Sequence, residues 1–184
     1  MEQTVKQGLL SVVLPAFNEE ASVPRAADTL SALLEGAGID HEIVFVDDGS
    51  RDGTLRLLKE LAAQDERVVY LSFSRNFGKE AAMYAGLKNA RGDYVAIMDA
   101  DMQDPPSLLP EMFRLMEEGY DSVATRRVSR AGLGRVASGM HVLQEGSGAP
   151  ARAQGTRQGK STPRALLACA SSCEPCRVAP GPML

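Results

Sequence analysis

Three short stretches combine carboxylates with turn residues, and each follows an apolar run: Pro15-Ala16-Phe17-Asn18-Glu19-Glu20, Asp47-Asp48-Gly49-Ser50-Arg51-Asp52-Gly53-Thr54, and Asp99-Ala100-Asp101-Met102-Gln103-Asp104. Carboxylates gathered at one place repel one another unless they bind a cation or each finds its own hydrogen-bond donors. Asp99 and Asp101, one residue apart, can place an oxygen on a hard divalent ion that also bridges two phosphates, and Gln103 adds a neutral oxygen at the next alternate position. Asp48 can accept from the N–H of a pyrimidine or purine base, with Pro15 and Phe17 as an apolar wall. Plainer readings stand beside these. Ser50 and Asp52 read first as turn and helix-cap residues, and Asp99-Ala100-Asp101 taken alone is as good a turn as a ligand set. The combination and its order carry the argument.

The elements that must position these loops are legible from periodicity. Leu9 to Pro15, Glu42 to Val46, Val68 to Ser72 and Tyr94 to Met98 are short, β-branched and almost continuously apolar, as strands covered on both faces are. Between them, Val23, Ala26, Ala27, Leu30, Leu33 and Leu34, then Leu55, Leu58, Leu61 and Ala62, then Ala81, Ala82, Ala85 and Leu87 recur at helical spacing. Ser22 is placed to cap the first helix, Gly36-Ala37-Gly38 to stop it, Asp52-Gly53 to open the second and Gly92 to close the third. A fourth helix is predicted over Pro106 to Glu118, and a last strand over Asp121 to Thr125. Such β-α alternation predicts an α/β fold with right-handed crossovers and an open, mostly parallel sheet carrying helices on both faces. The three acidic loops then converge on the edge where such sheets bind ligands.

Composition limits the alternatives. With 184 residues, 44% apolar and 24% charged, the chain suits one globular domain. Met1 to Thr125 carries 11 basic and 22 acidic residues, whereas Arg126 to Leu184 carries 9 and 2. An acidic body argues against nucleic acid as a partner. The cysteines, Cys169, Cys173 and Cys176, offer no disulfide framework, and Cys173-Glu174-Pro175-Cys176 is half a metal knuckle with no second half. No signal peptide is apparent, and no apolar run approaches the roughly 18 to 20 residues that cross a bilayer. Residues 8–130 are read as the folded domain. Residues 131–184, rich in Gly, Ala, Ser, Pro and Arg without periodicity, are read as a disordered tail foreign to it.

The acidic stretches, together with Val46-Asp47-Asp48-Gly49-Ser50, Arg75-Asn76-Phe77-Gly78-Lys79-Glu80 and the prolines Pro105-Pro106, resemble family 2 glycosyltransferases over roughly Leu9 to Arg127. The Arg-Asn-Phe-Gly-Lys and Asp-x-Asp-x-Gln-Asp-Pro segments look like its polyprenyl-phosphate branch, which includes bactoprenol glucosyltransferases and dolichol-phosphate mannose synthases. The resemblance implies a GT-A fold, a nucleotide-diphosphate sugar donor, Mg²⁺ or Mn²⁺, and inversion at the anomeric carbon. By motif, Pro15, Phe17, Glu19, Val46 and Asp48 would hold the nucleoside. Asp99, Ala100 and Asp101 would hold ribose, diphosphate and metal, with Asp99 and Asp101 the catalytic carboxylates and Asp101 and Gln103 the metal ligands. Arg126 would face the diphosphate or the acceptor phosphate, and Lys79 reads equally as a phosphate contact or a surface lysine.

The implied donor is UDP-glucose and the implied acceptor bactoprenyl phosphate, with GDP-mannose and dolichyl phosphate as runner-up. The implied place is the cytoplasmic face of the membrane, reached through C-terminal helices that this chain lacks; a homo-oligomer is a further expectation. That departure makes a truncated, inactive form and a non-catalytic nucleotide-sugar-binding fragment the rival readings. A nucleotidyltransferase would want a Gly-rich loop where Pro15-Ala16-Phe17-Asn18 stands, and no G-x-G-x-x-G follows any strand as a dinucleotide-binding dehydrogenase requires.

Overall fold

The structure, a computed structural model, describes residues 8–103, 105–120, 122–127, 164–167 and 173–177, with 125–127 and the last two segments described by backbone alone. In chain order the elements are β1 (Leu10–Ala16), α1 (Val23–Gly36), β2 (His41–Asp47), α2 (Thr54–Gln64), β3 (Val68–Ser72), α3 (Lys79–Asn89), β4 (Tyr94–Ile97), α4 (Leu109–Glu117), β5 (Ser122–Arg127), β6 (Arg164–Leu167) and β7 (Cys173–Arg177). They form one sheet in the order β3-β2-β1-β4-β6-β5-β7. The β5–β7 pair is antiparallel and the other pairs are parallel.

Alternation along the strands sorts the core onto two faces. Leu10, Val12 and Leu14 of β1, with Ile43 and Phe45 of β2, pack with Leu30 and Leu34 of α1, Leu58 of α2 and Met112 and Met116 of α4. Val13, Val44, Val46, Val95 and Ile97 point the other way and meet Ala82 of α3. On that face the helix lies close to the sheet: a Cβ added at Gly86 would sit 2.2 Å from Val13 Cγ1. The expected α/β sheet with helices on both faces is therefore present.

Local departures have local causes. Ser22 holds the N-cap position of α1 in a helical conformation and makes no side-chain capping bond. Instead the Ser22 and Val23 N–H groups both donate to Glu19 O (3.1 and 3.0 Å), so the turn begins earlier than the cap reading expects. At the other end Gly38 adopts φ +68, and the bonds Ile39 N–H to Leu34 O and Gly38 N–H to Glu35 O close a Schellman motif. The predicted helix Pro106 to Glu118 opens as a 3₁₀ turn, Pro106–Leu108. Pro110 has no N–H to give Pro106 O, and that carbonyl takes the Leu109 N–H at the shorter spacing. Within 131–184, read as disordered, the structure describes β6 between β4 and β5 and β7 at the edge; the rest of that segment lies outside the described residues.

At the amino-terminal edge of the sheet, Glu42 is 2% exposed. Its Oε1 accepts from Ser11 Oγ and from the Arg91 N–H, both at 2.6 Å, and its Oε2 from Arg91 Nε at 2.7 Å. Burial alone would raise this carboxyl, but the bonds from Ser11 and Arg91 outweigh it and hold the group below its ordinary value. A carboxyl depressed on folding contributes stability above its unfolded value and loses it as pH falls through its folded value. Glu42→Gln is expected to cost about 1–3 kcal/mol at neutral pH, with the gap to wild type closing in acid. Urea unfolding at both pH values checks this; a gap that stays constant would exclude the charge as its source.

Candidate functional site

Strands β1, β2 and β3 are laid down in one direction across the sheet, and β4 then pairs on the other side of β1. That reversal opens a crevice at the carboxyl ends of β1 and β4, the general ligand position of doubly wound sheets. A cleft of about 410 Å³ lies there, lined by Pro15, Ala16, Phe17, Glu19, Asp48, Asn76, Gly78, Lys79, Ala82, Asp99, Ala100 and Asp101.

The first two loops interlock. Asn18, at φ +57, donates its N–H to Ser50 Oγ (2.9 Å) and accepts the Arg51 N–H at Oδ1 (2.9 Å). The Glu19 N–H reaches Thr54 Oγ1 (2.8 Å), the Glu20 N–H reaches Asp52 Oδ2 (3.3 Å), and Glu20 Oε2 takes the Gly53 N–H (2.7 Å). Asp52 also accepts from the Thr54 N–H and Oγ1. Desolvation would raise the Asp52 carboxyl, yet the bonds from Thr54 and Glu20 hold it below its ordinary value. Ser50 and Asp52 thus stitch two loops together, a wider role than the cap expected of them.

The carboxylates at the end of β2 divide their work. Asp47 Oδ1 accepts the Ser50 N–H (3.0 Å) and its Oδ2 the Ser72 hydroxyl (2.9 Å), fixing the turn. Asp48, 3% exposed, accepts the Phe77 N–H at Oδ1 (2.7 Å) and the Gly78 N–H at Oδ2 (2.9 Å). Between them and the next loop the backbones nearly touch. Gly49 adopts φ +71, and a Cβ there would lie 2.3 Å from the Arg75 carbonyl carbon. The loop held in this way carries Lys79 across the cleft, where Nζ lies 2.6 Å from Asp99 Oδ1.

The third acidic loop is a tight turn. Met102 takes φ +60, its N–H donates to Asp99 O (3.2 Å), and Asp101 Oδ1 accepts the Gln103 N–H (3.1 Å). Asp101 and Gln103 both remain exposed. Among the described residues no group of three His, Cys, Asp or Glu side chains is assembled for a metal. The donor chemistry nevertheless fits Mg²⁺ or Mn²⁺, because such ions commonly bind through one or two carboxylates together with the phosphates of a substrate.

Of the residues singled out from sequence, Pro15, Phe17, Glu19, Asp48, Asp99, Ala100 and Asp101 come together on the cleft wall. Val46 does not: it is fully buried in the core beneath α3. Gln103 sits beyond the lining, and Arg126 is in β5 opposite Glu174, its side chain outside the described residues, as is Asp104. Asn76, Gly78 and Ala82 line the cleft without having been anticipated. The signal was available, since they follow β3 as the acidic loops follow the other strands.

Residues 11–169 match the family described as Glycosyl transferase family 2. The chain is 42% identical over 127 residues to the prophage bactoprenol glucosyl transferase homolog of Escherichia coli (strain K12), covering 69% of this chain and 42% of that protein. It is 41% identical over 122 residues to the undecaprenyl-phosphate 4-deoxy-4-formamido-L-arabinose transferase of Shewanella sediminis (strain HAW-EB3), covering 66% and 37%. The chain thus spans about two-fifths of the length of these curated relatives. Among solved structures, a mannosyltransferase from Pyrobaculum calidifontis in complex with GDP-Man and Mn²⁺ aligns with TM-score 0.58 and 22% identity over 68% of this chain and 37% of that one. The fold they share is the GT-A type.

Because Asp48 is the acceptor for two N–H groups at a nearly buried position, Asp48→Ala is expected to lower stability by about 1–3 kcal/mol. Amide hydrogen exchange at Phe77 and Gly78 should accelerate beyond the global effect; unchanged protection at those two amides would contradict the tie.

Proposed function

The chain belongs to glycosyl transferase family 2, and from that membership we propose that it forms the donor-binding part of an enzyme that moves a hexose to a polyprenyl phosphate with inversion. UDP-glucose is the favoured donor and bactoprenyl phosphate the favoured acceptor. The observation that carries this reading is the convergence of Pro15, Phe17, Glu19, Asp48, Asp99, Ala100 and Asp101 from three strand ends onto one cleft. The names of the relatives, a bactoprenol glucosyl transferase homolog and an undecaprenyl-phosphate sugar transferase, support the acceptor class.

In this reading Pro15, the exposed ring of Phe17, Glu19 and Asp48 hold the nucleoside, with Asp48 also keeping the wall behind the base in place. Asp99, Ala100 and Asp101 face ribose and diphosphate, Arg126 the diphosphate or the acceptor phosphate, and Asp101 and Gln103 hold Mg²⁺ or Mn²⁺. When bound there, the metal would supply Lewis-acid neutralisation of the leaving nucleoside diphosphate. A phosphate acceptor is already largely ionised near neutral pH, so the chain need not provide a general base. Its carboxylates then serve to bind and orient. Among the described residues no helix is long and apolar enough to cross a membrane; the proposed place of action is the cytoplasmic face of a membrane, where a polyprenyl phosphate acceptor would be met.

Calorimetric titration of UDP and of GDP, with and without Mn²⁺, tests the donor site. Metal-dependent binding of UDP is expected, and Asp101→Ala should abolish it and lower any donor turnover by about 10²-fold or more. Near-normal turnover or metal-dependent binding in that variant would overturn the assignment.

A further inference from the structure

Glu19, Asp48, Asp99 and Asp101 bring four carboxyl groups to the cleft, and among the described lining residues Lys79 is the only basic one. Its placement is constrained by backbone. Lys79 opens α3 directly after Gly78, which takes φ +99 and whose N–H is held by Asp48. From there Nζ reaches Asp99 Oδ1 at 2.6 Å, with the two side chains 48% and 40% exposed. So exposed a pair is screened by water and contributes little to folding. The fold therefore loses little when the pair opens.

A lysine ammonium is a compact charge with three donors on a flexible stem, able to change partner without the backbone moving. Asp99 belongs to the acidic loop that would meet a metal and a diphosphate. We propose that Lys79 is an exchangeable counter-cation of this site: it neutralises Asp99 while no donor is bound, and when a metal and nucleoside diphosphate enter it leaves Asp99 for the diphosphate oxygens. This rests on the reading of the cleft as a nucleotide-sugar site. The exchange keeps the site close to charge balance, since the cation held by Asp101 and Gln103 enters the same acidic turn as Asp99 while the ammonium acquires a new anion. It also gives Lys79 opposite effects on two ligands. Lys79 competes with a metal ion arriving alone and assists a nucleotide arriving with it.

The test titrates wild type, Lys79→Gln and Lys79→Arg with Mn²⁺ alone, read from the electron paramagnetic resonance of free Mn²⁺, and with UDP and GDP at saturating Mn²⁺, read by calorimetry. Lys79→Gln is expected to bind Mn²⁺ alone about fivefold more tightly and the nucleotide about tenfold more weakly. Lys79→Arg should stay near wild type in both, and all three should share one Tm. Affinities that move together or not at all, an arginine variant that copies the glutamine one, or a collapse in Tm would each overturn the proposal. Failure of the wild-type chain to bind either nucleotide would instead overturn the donor-site reading beneath it.

Discussion

A carboxylate taken out of water must be given donors, and at Asp48 those donors are two consecutive backbone N–H groups of another loop. The rest of the cleft depends on that requirement. To bring Phe77 and Gly78 within reach, the chain after β3 must lie against the turn after β2, which is sterically open only because residue 49 has no side chain. Once the loop is there, the start of α3 is fixed, and Lys79 is delivered to Asp99 on the far side of the crevice. A single buried charge thus connects the ends of β2 and β4 through the chain that follows β3.

The polar residues around this point separate into those that satisfy one another and those left with capacity. Asn18, Glu20, Ser50 and Asp52 spend their hydrogen-bonding groups on the facing loop. They make the first two loops one unit, which is how an irregular backbone can carry Phe17 and Glu19 to a defined place. A run such as Asp-Asp-Gly-Ser-Arg-Asp-Gly-Thr therefore encodes scaffolding and site in alternation.

This division explains what the sequence made legible. Hydrophobic periodicity gives the strands and helices, because burial on two faces demands it, and the rule that ligands sit beyond strand ends places Pro15, Asp48 and Asp99 on one wall. Motif resemblance was less discriminating for Val46: it lies inside the end of β2, where α3 still covers its face of the sheet, so it belongs to the core beneath the cleft and not to the wall. The Lys79–Asp99 pair spans two loops, so no local pattern encodes it. Asp48 was legible as a site residue, but its partners were not, since they are backbone N–H groups of residues 77 and 78 and any residue type but proline supplies one.

The two edges of the sheet show why chemistry belongs to one of them. At the amino edge Glu42 is buried and its oxygens are met by Ser11 and Arg91, so its charge is compensated within the fold and it has nothing to offer a ligand. At the carboxyl edge Asp48 is met by two backbone N–H groups, whereas among the described residues Asp99 has one exposed lysine and Asp101 accepts a single N–H from Gln103. An anionic substrate would be repelled from such a wall unless cations came with it. Among the described residues the aspartate loop is only partly neutralised, which is the charge state that the proposed donor, a nucleoside diphosphate arriving with a divalent ion, would require of it.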